Sequence, residues 1–190
     1  MKNKATFIDF DDSFSYNVVQ ELTEIGFETT VINWKDFEVL PSGGLLVLGP
    51  GPGHPDDYQR IFPLVREWLD GKKPFFGVCL GHQIFWRIQG EDVVRSKIPL
   101  HGQKISLDLN ADWREWLAIK EKNIFVQRYN SLTVIADAQI RNPIFKSFIQ
   151  DDEILITRGE QVVTYQFHPE SLGTSYREAF FRPLIRDLVY

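Results

Sequence analysis

The sequence has a single cysteine, Cys79, so no intramolecular disulfide and no cysteine-built zinc cage can form. A reducing compartment fits such a chain. Nowhere does an apolar run approach the roughly 20 residues of a membrane span. Near the N-terminus Lys2 and Lys4 are followed by Asp9, Asp11 and Asp12 before a signal-peptide core could form. A cytoplasmic protein without a membrane role is therefore expected. Basic surplus is missing too: 21 Lys+Arg stand against 26 Asp+Glu, for a net charge of −5. With no basic run either, the electrostatic footprint of a nucleic-acid binder is lacking. His54, His82, His101 and His168 show no metal-ligand spacing, so neither a metal nor any other cofactor is expected.

What is present is an ordinary globule of 190 residues, 43% hydrophobic and 25% charged. A chain of this size buries about 70% of its unfolded surface. Repeats, low-complexity tracts and linkers are lacking, so residues 1–190 are expected to form one domain.

Short apolar runs alternate with amphipathic segments, the pattern of a parallel sheet covered by helices. Strands are expected at residues 6–10, 27–32, 45–48 and 74–78. Helices are expected at 13–25, with Asp12 or Ser13 as N-cap and Gly26 as stop, at 58–69 despite Pro63, and at 80–89, ending at Gly90. Beyond Glu91 the βα alternation stops. Residues 103–109, 123–129, 132–136, 153–157 and 162–167 alternate apolar and polar, which predicts antiparallel strands added to the same sheet. A last helix is expected at 179–189, with Pro183 inside it. The fold class is thus α/β: an open, mainly parallel central sheet with helices on both faces and additional antiparallel strands in the C-terminal half.

The sharpest local feature is Gly77-Val78-Cys79-Leu80-Gly81, where a strand runs into a helix through a cysteine flanked by glycines. A strand-to-helix turn this tight crowds the backbone and needs small neighbours, and it lifts the central side chain clear of the sheet. The sulfur would sit at a helix N-terminus, where unpaired N–H groups and the helix dipole favour thiolate over thiol. The Leu80 N–H is then a natural oxyanion donor. Alone, the motif also fits a cysteine acting as a small core hydrophobe. A base decides between the two. His168 follows a predicted strand near its C-terminal end, where open α/β sheets gather their sites. Glu170 is two residues on and can orient the imidazole while the imidazole serves Cys79.

The third feature is Gly49-Pro50-Gly51-Pro52-Gly53-His54-Pro55, directly after a strand. Proline donates no N–H, so Gly49, Gly51, Gly53 and His54 are the available donors in a stiffened loop. The Gly-Lys-Ser/Thr ending of a nucleotide-binding loop is missing, and a rigid turn leaving the strand is the plain alternative.

Together Gly51-Pro52-Gly53, Gly77-Val78-Cys79-Leu80-Gly81-His82-Gln83 and Phe167-His168-Pro169-Glu170-Ser171 closely resemble the class I (triad) glutamine amidotransferases, whose fold is flavodoxin-like. The resemblance covers nearly the whole chain. Residues 9–17, His101-Gly102 and Arg128-Tyr129-Asn130-Ser131-Leu132 resemble the small subunit of anthranilate synthase (component II) and its relative in aminodeoxychorismate synthase.

The resemblance implies one glutamine amidotransferase type 1 domain over 1–190 that hydrolyses L-glutamine to glutamate and ammonia. The ammonia would pass to a chorismate-binding synthase subunit, of the anthranilate synthase component I or aminodeoxychorismate synthase component I type. Cys79 would be the nucleophile, His168 the base and later acid, and Glu170 the group orienting His168. Leu80 and a glycine N–H from Gly51 to Gly53 would hold the oxyanion, and Gly51, Pro52, Gly53, Gln83, Ser131 and Leu132 would line the glutamine site. Gln83, Ser131 and Leu132 would take its α-amino and α-carboxylate end. Asn130 departs from the subgroup, which usually has histidine there; the change bears on coupling to a partner and leaves the triad intact. Two other readings keep the fold: a catalytically silent regulatory subunit, and a free-standing cysteine hydrolase of another γ-glutamyl compound. At this length the chain has room for the glutaminase but not for a chorismate-aminating domain, so a separate partner is expected.

Overall fold

The computed structural model describes residues 3–136 and 144–188. Five strands form the parallel heart of a seven-stranded sheet: β1 (Asn3–Asp9), β2 (Phe27–Asn33), β3 (Leu45–Leu48), β4 (Phe75–Val78) and, late in the chain, β11 (Val162–Tyr165). They lie in the order β2-β1-β3-β4-β11, and two antiparallel strands, β10 (Glu153–Arg158) and β9 (Lys146–Gln150), complete the sheet beyond β11.

Side chains alternate across this sheet and feed two cores. Phe7, Val47 and Phe76 join one, against Val18 and Leu22 of helix α1 (Ser15–Glu24) and Phe180, Phe181 and Leu184 of helix α5 (Arg177–Leu188). Ile8, Leu46, Leu48 and Phe75 join the other, against Val65 and Trp68 of α2 (Phe62–Asp70) and Ile84 and Phe85 of α3 (Leu80–Ile88). Because both faces are covered, β3, β4 and β11 are buried along their whole length. The mainly parallel sheet with helices on both faces is the architecture expected.

Several local expectations are corrected. The segments past Glu91 do not all join one sheet. β6 (Gln103–Asp108) and β7 (Asn123–Arg128) pair with each other as a separate ribbon, joined to the segment after β11 by a single bridge between Gln127 and His168, and β8 (Leu132–Val134) pairs with a short strand, β5 (Val93–Arg95). The hairpin instead drops Leu107, Ile124 and Val126 onto the α1/α5 core as a flap. β11 joins the main sheet and is antiparallel to β10 as expected, but on its other side it runs parallel to β4, which the alternation does not predict.

Helix α1 starts two residues late, and neither Asp12 nor Ser13 caps it. Asp12 Oδ1 accepts the Phe14 N–H at 2.8 Å, so it closes the turn before the helix. The segment expected as one helix at 58–69 divides at Ile61, and Pro63 falls in the first turn of α2, where its missing N–H costs nothing. Pro183 lies inside α5, and Val189, expected as its end, is outside the described residues. β5, β9 and the short helix α4 (Ala111–Leu117) carry no sequence expectation. Asn110 caps α4 by accepting the Trp113 N–H at 3.1 Å.

Candidate functional site

β4 and β11 are neighbours, with Val78 opposite Tyr165, and the Cys79 N–H donates to the Tyr165 carbonyl at 2.8 Å. Cys79 and the residues after Tyr165 therefore leave the sheet side by side. Cys79 itself has φ 53° and ψ −99°, a conformation that costs a non-glycine residue about 1–3 kcal/mol. Its neighbours explain how it is held. A Cβ on Gly77 would stand 2.8 Å from the Gly81 carbonyl, and one on Gly81 would stand 2.2 Å from the Leu48 carbonyl oxygen. Only glycines let α3 start this close to β3 and β4, and that closeness forces the turn. The sulfur comes to lie at the N-terminus of α3, as the Gly-x-Cys-x-Gly pattern predicts.

His168 follows β11 by three residues and is buried. Its backbone is tied on both sides: its N–H donates to the Gln127 carbonyl at 2.9 Å, and its carbonyl accepts the Thr174 hydroxyl at 2.7 Å. On the ring, Nδ1 lies 2.7 Å from Glu170 Oε1. Phe14 and Tyr129 wall the imidazole, with ring centroids 5.1 and 4.9 Å away. Burial works against a charged ring, but the Glu170 carboxylate and the Cys79 sulfur outweigh it, by charge and by hydrogen bonding, and hold the His168 pKa well above its ordinary value.

The Gly-Pro loop is partly consumed by the fold. Of its four expected donors, Gly49 gives its N–H to the Ile8 carbonyl at 3.2 Å and His54 gives its own to Asp57 Oδ2 at 2.8 Å. Gly51 packs against the turn at Cys79: a Cβ there would come 2.4 Å from Leu80 Cδ2 and 2.6 Å from Phe10 Cβ. Gly53, at φ +76°, and Pro52 are exposed. The loop thus lies directly beside Leu80.

Beneath the site runs a buried polar network. Arg128 and Glu153 form an ion pair with side chains 6% and 7% exposed. Arg128 Nε donates to Asn130 Oδ1 at 3.0 Å, and Asn130 Nδ2 donates to the Leu132 carbonyl at 2.8 Å. Gln83 Nε2 reaches the same carbonyl at 2.9 Å and Gln166 Oε1 at 3.1 Å, while Gln166 Nε2 faces Cys79 Sγ at 4.0 Å. Ser131 is exposed, with its carbonyl accepting the Ser96 N–H at 2.9 Å. The structure therefore gathers Cys79, Leu80 and, by a hydrogen bond to the sulfur, His168 at the C-terminal ends of the neighbouring strands β4 and β11, with Gln83 and Leu132 joined to them through Gln166.

Residues without a sequence expectation complete the site: Gln166, and the Phe14 and Tyr129 rings. In the sequence Gln166 shows only as one of two polar residues, with Thr164, alternating with apolar ones over 162–167. Among the described residues no group of three or more His, Cys, Asp or Glu could hold a metal ion, and no helix is long and apolar enough to cross a membrane.

Comparison with known proteins adds three findings. The family model for Glutamine amidotransferase class-I matches residues 6–187. The aminodeoxychorismate/anthranilate synthase component 2 of Bacillus subtilis is 34% identical, the match covering 94% of this chain and 93% of that protein. A glutamine amidotransferase from Thermotoga maritima of known structure, 19% identical, shares the fold with a TM-score of 0.69 over 98% of this chain and 84% of its own.

Proposed function

The chain belongs to the class-I glutamine amidotransferase family, related to component II of anthranilate and aminodeoxychorismate synthases, and from that membership we propose that it is a glutaminase subunit working through Cys79, His168 and Glu170. The observation that carries this reading is the strained turn at Cys79, set at the start of α3 on the strand next to the one leading to the His168–Glu170 pair.

In the proposed reaction the Cys79 thiolate attacks the side-chain carbonyl carbon of L-glutamine. A C–S bond forms, and the carbonyl oxygen takes up the negative charge. The Leu80 N–H and a Gly51 or Gly53 N–H hold that oxyanion. As the C–N bond breaks, His168 gives its proton to the departing nitrogen, which leaves as ammonia. A γ-glutamyl thioester remains. Water then attacks the thioester carbonyl, His168 takes the water's proton, and the C–S bond breaks to give glutamate and a thiolate. Glu170 holds the imidazole in the orientation and charge state that both steps need. Gly51, Pro52, Gly53, Gln83, Ser131 and Leu132 line the glutamine site, the last three at the α-amino and α-carboxylate end.

The component-2 names of the relatives support a partner: a chorismate-binding synthase subunit, making anthranilate or 4-amino-4-deoxychorismate, that consumes the ammonia. Ammonia is mostly protonated at neutral pH, so releasing it beside its acceptor preserves its nucleophilicity. The whole chain would act as one amidotransferase domain. The test is a glutamine-like chloroketone together with Cys79→Ala. The reagent should add to Cys79, and the variant should lose glutamine-dependent product in the complex while ammonia-dependent synthesis survives. Full glutamine-dependent activity in Cys79→Ala would overturn the reading.

A further inference from the structure

Gln166 is fully buried just beyond β11, and its side-chain nitrogen faces the Cys79 sulfur. The aim of that amide follows from a chain of obligatory roles. The Leu132 carbonyl can only accept, so the Gln83 atom 2.9 Å from it must be the amide nitrogen. The same nitrogen lies 3.1 Å from the Gln166 side chain, so the Gln166 atom facing it must be the oxygen. The Gln166 NH2 group is then left pointing at Cys79 Sγ. A backbone carbonyl two side chains away thereby decides what the sulfur meets. An N–H donor interacts more strongly with a thiolate than with a thiol, because the bond becomes charge-assisted.

We propose that Gln166 is a positioning residue of the reaction, holding the Cys79 sulfur in its thiolate form through a side-chain N–H whose direction is set by Gln83 and the Leu132 carbonyl. The sulfur is thus served from two sides, by His168 and by an uncharged donor that never titrates. This deepens the function proposed above and rests on Cys79 being the nucleophile there.

The test follows the rate at which iodoacetamide alkylates Cys79, the only cysteine, across pH 5 to 10 on the isolated full-length chain. No glutamine is present, so the readout is separate from turnover. Gln166→Met keeps the bulk and removes the N–H. Its profile should move up by about one pH unit, with alkylation slowed about tenfold on the acid side of the wild-type midpoint. Gln166→Glu keeps an acceptor for Gln83 and turns a carboxyl oxygen to the sulfur; its profile should move at least as far. Either variant, folded by circular dichroism and alkylating along the wild-type profile, would overturn the proposal.

A measurement on the unmutated chain guards against variants that fail to fold. The Gln166 side-chain amide resonance should shift as the sulfur titrates and stay fixed in Cys79→Ser; a stationary resonance in the wild type also overturns the proposal. If instead Cys79→Ala retained glutamine hydrolysis, the nucleophile assignment would fall while the alkylation result stood, so the two failures are distinguishable.

Discussion

Glu170 Oε1 stands 2.7 Å from His168 Nδ1 in a contact whose two side chains are 0% and 2% exposed. Its other oxygen, Oε2, is buried without a hydrogen-bond partner among the described residues, so the carboxylate is committed to the imidazole. Glu170→Gln keeps the shape and removes the charge. His168 should then lose its proton at lower pH, seen by NMR titration of the ring. Glutamine hydrolysis should fall roughly 10²- to 10⁴-fold. An unchanged His168 titration would refute the electrostatic role.

His82 is fully buried, with Nδ1 2.8 Å from Thr164 Oγ1, and burial pushes its pKa down from 6.5 to about 3. Between those values the unfolded chain binds a proton that the folded chain refuses, so stability falls as pH falls. From pH 6.5 to 5 the loss should be about 2 kcal/mol. His168, held above its ordinary value, works the other way: from pH 7 down to about 6 the unfolded imidazole is still taking up the proton that the folded one already holds, a smaller opposing gain in stability that wild type and His82→Gln share. Urea unfolding at pH 7 and pH 5 should show the loss in the wild type and not in His82→Gln. Equal losses in the two proteins would contradict this account.

Gly81→Ala should destabilise the chain by about 3 kcal/mol, because its Cβ would press on the Leu48 backbone and lift α3 off the sheet. Gly43 has nothing within 4 Å of a built Cβ, and Gly43→Ala should stay within about 0.5 kcal/mol of wild type. Denaturant midpoints of the two variants compare the effects directly.

Glu153→Gln should cost about 3–5 kcal/mol, since it strands the Arg128 charge in a buried site. The double variant Arg128→Met/Glu153→Leu should recover much of that loss. A double-mutant cycle in urea measures the recovery. Additive losses would mean that the pair is not coupled.

The parallel heart of the fold is legible because continuous apolar runs such as Leu45–Leu48 occur only where both faces are covered. The parallel pairing of β11 with β4 is hidden for the opposite reason. Thr164 and Gln166 make residues 162–167 look like a half-exposed alternating strand, yet both are buried, with Thr164 bonded to His82 and Gln166 to Gln83. A polar residue facing a polar partner across the interior has the same one-dimensional signature as one facing water. That ambiguity also hid the role proposed for Gln166. Cys79 and Leu80 were readable because crowding at the turn demands glycines at fixed spacing, a local rule. The Asn130 contacts to Arg128 and Leu132 are local, but the ion pair that holds Arg128 comes from Glu153, 25 residues away in sequence, which no local pattern encodes.

The pairing of Val78 with Tyr165, together with the bridge from the Gln127 carbonyl to the His168 N–H, makes the spacing of sulfur and imidazole a matter of backbone hydrogen bonds, not of loop shape. The long stretch between β4 and β11 is in this sense a detour with fixed endpoints. Its exposed turn at residues 120–122 can lengthen or change sequence, altering the outline offered to other molecules while the bond-making distance stays where the backbone ladder puts it.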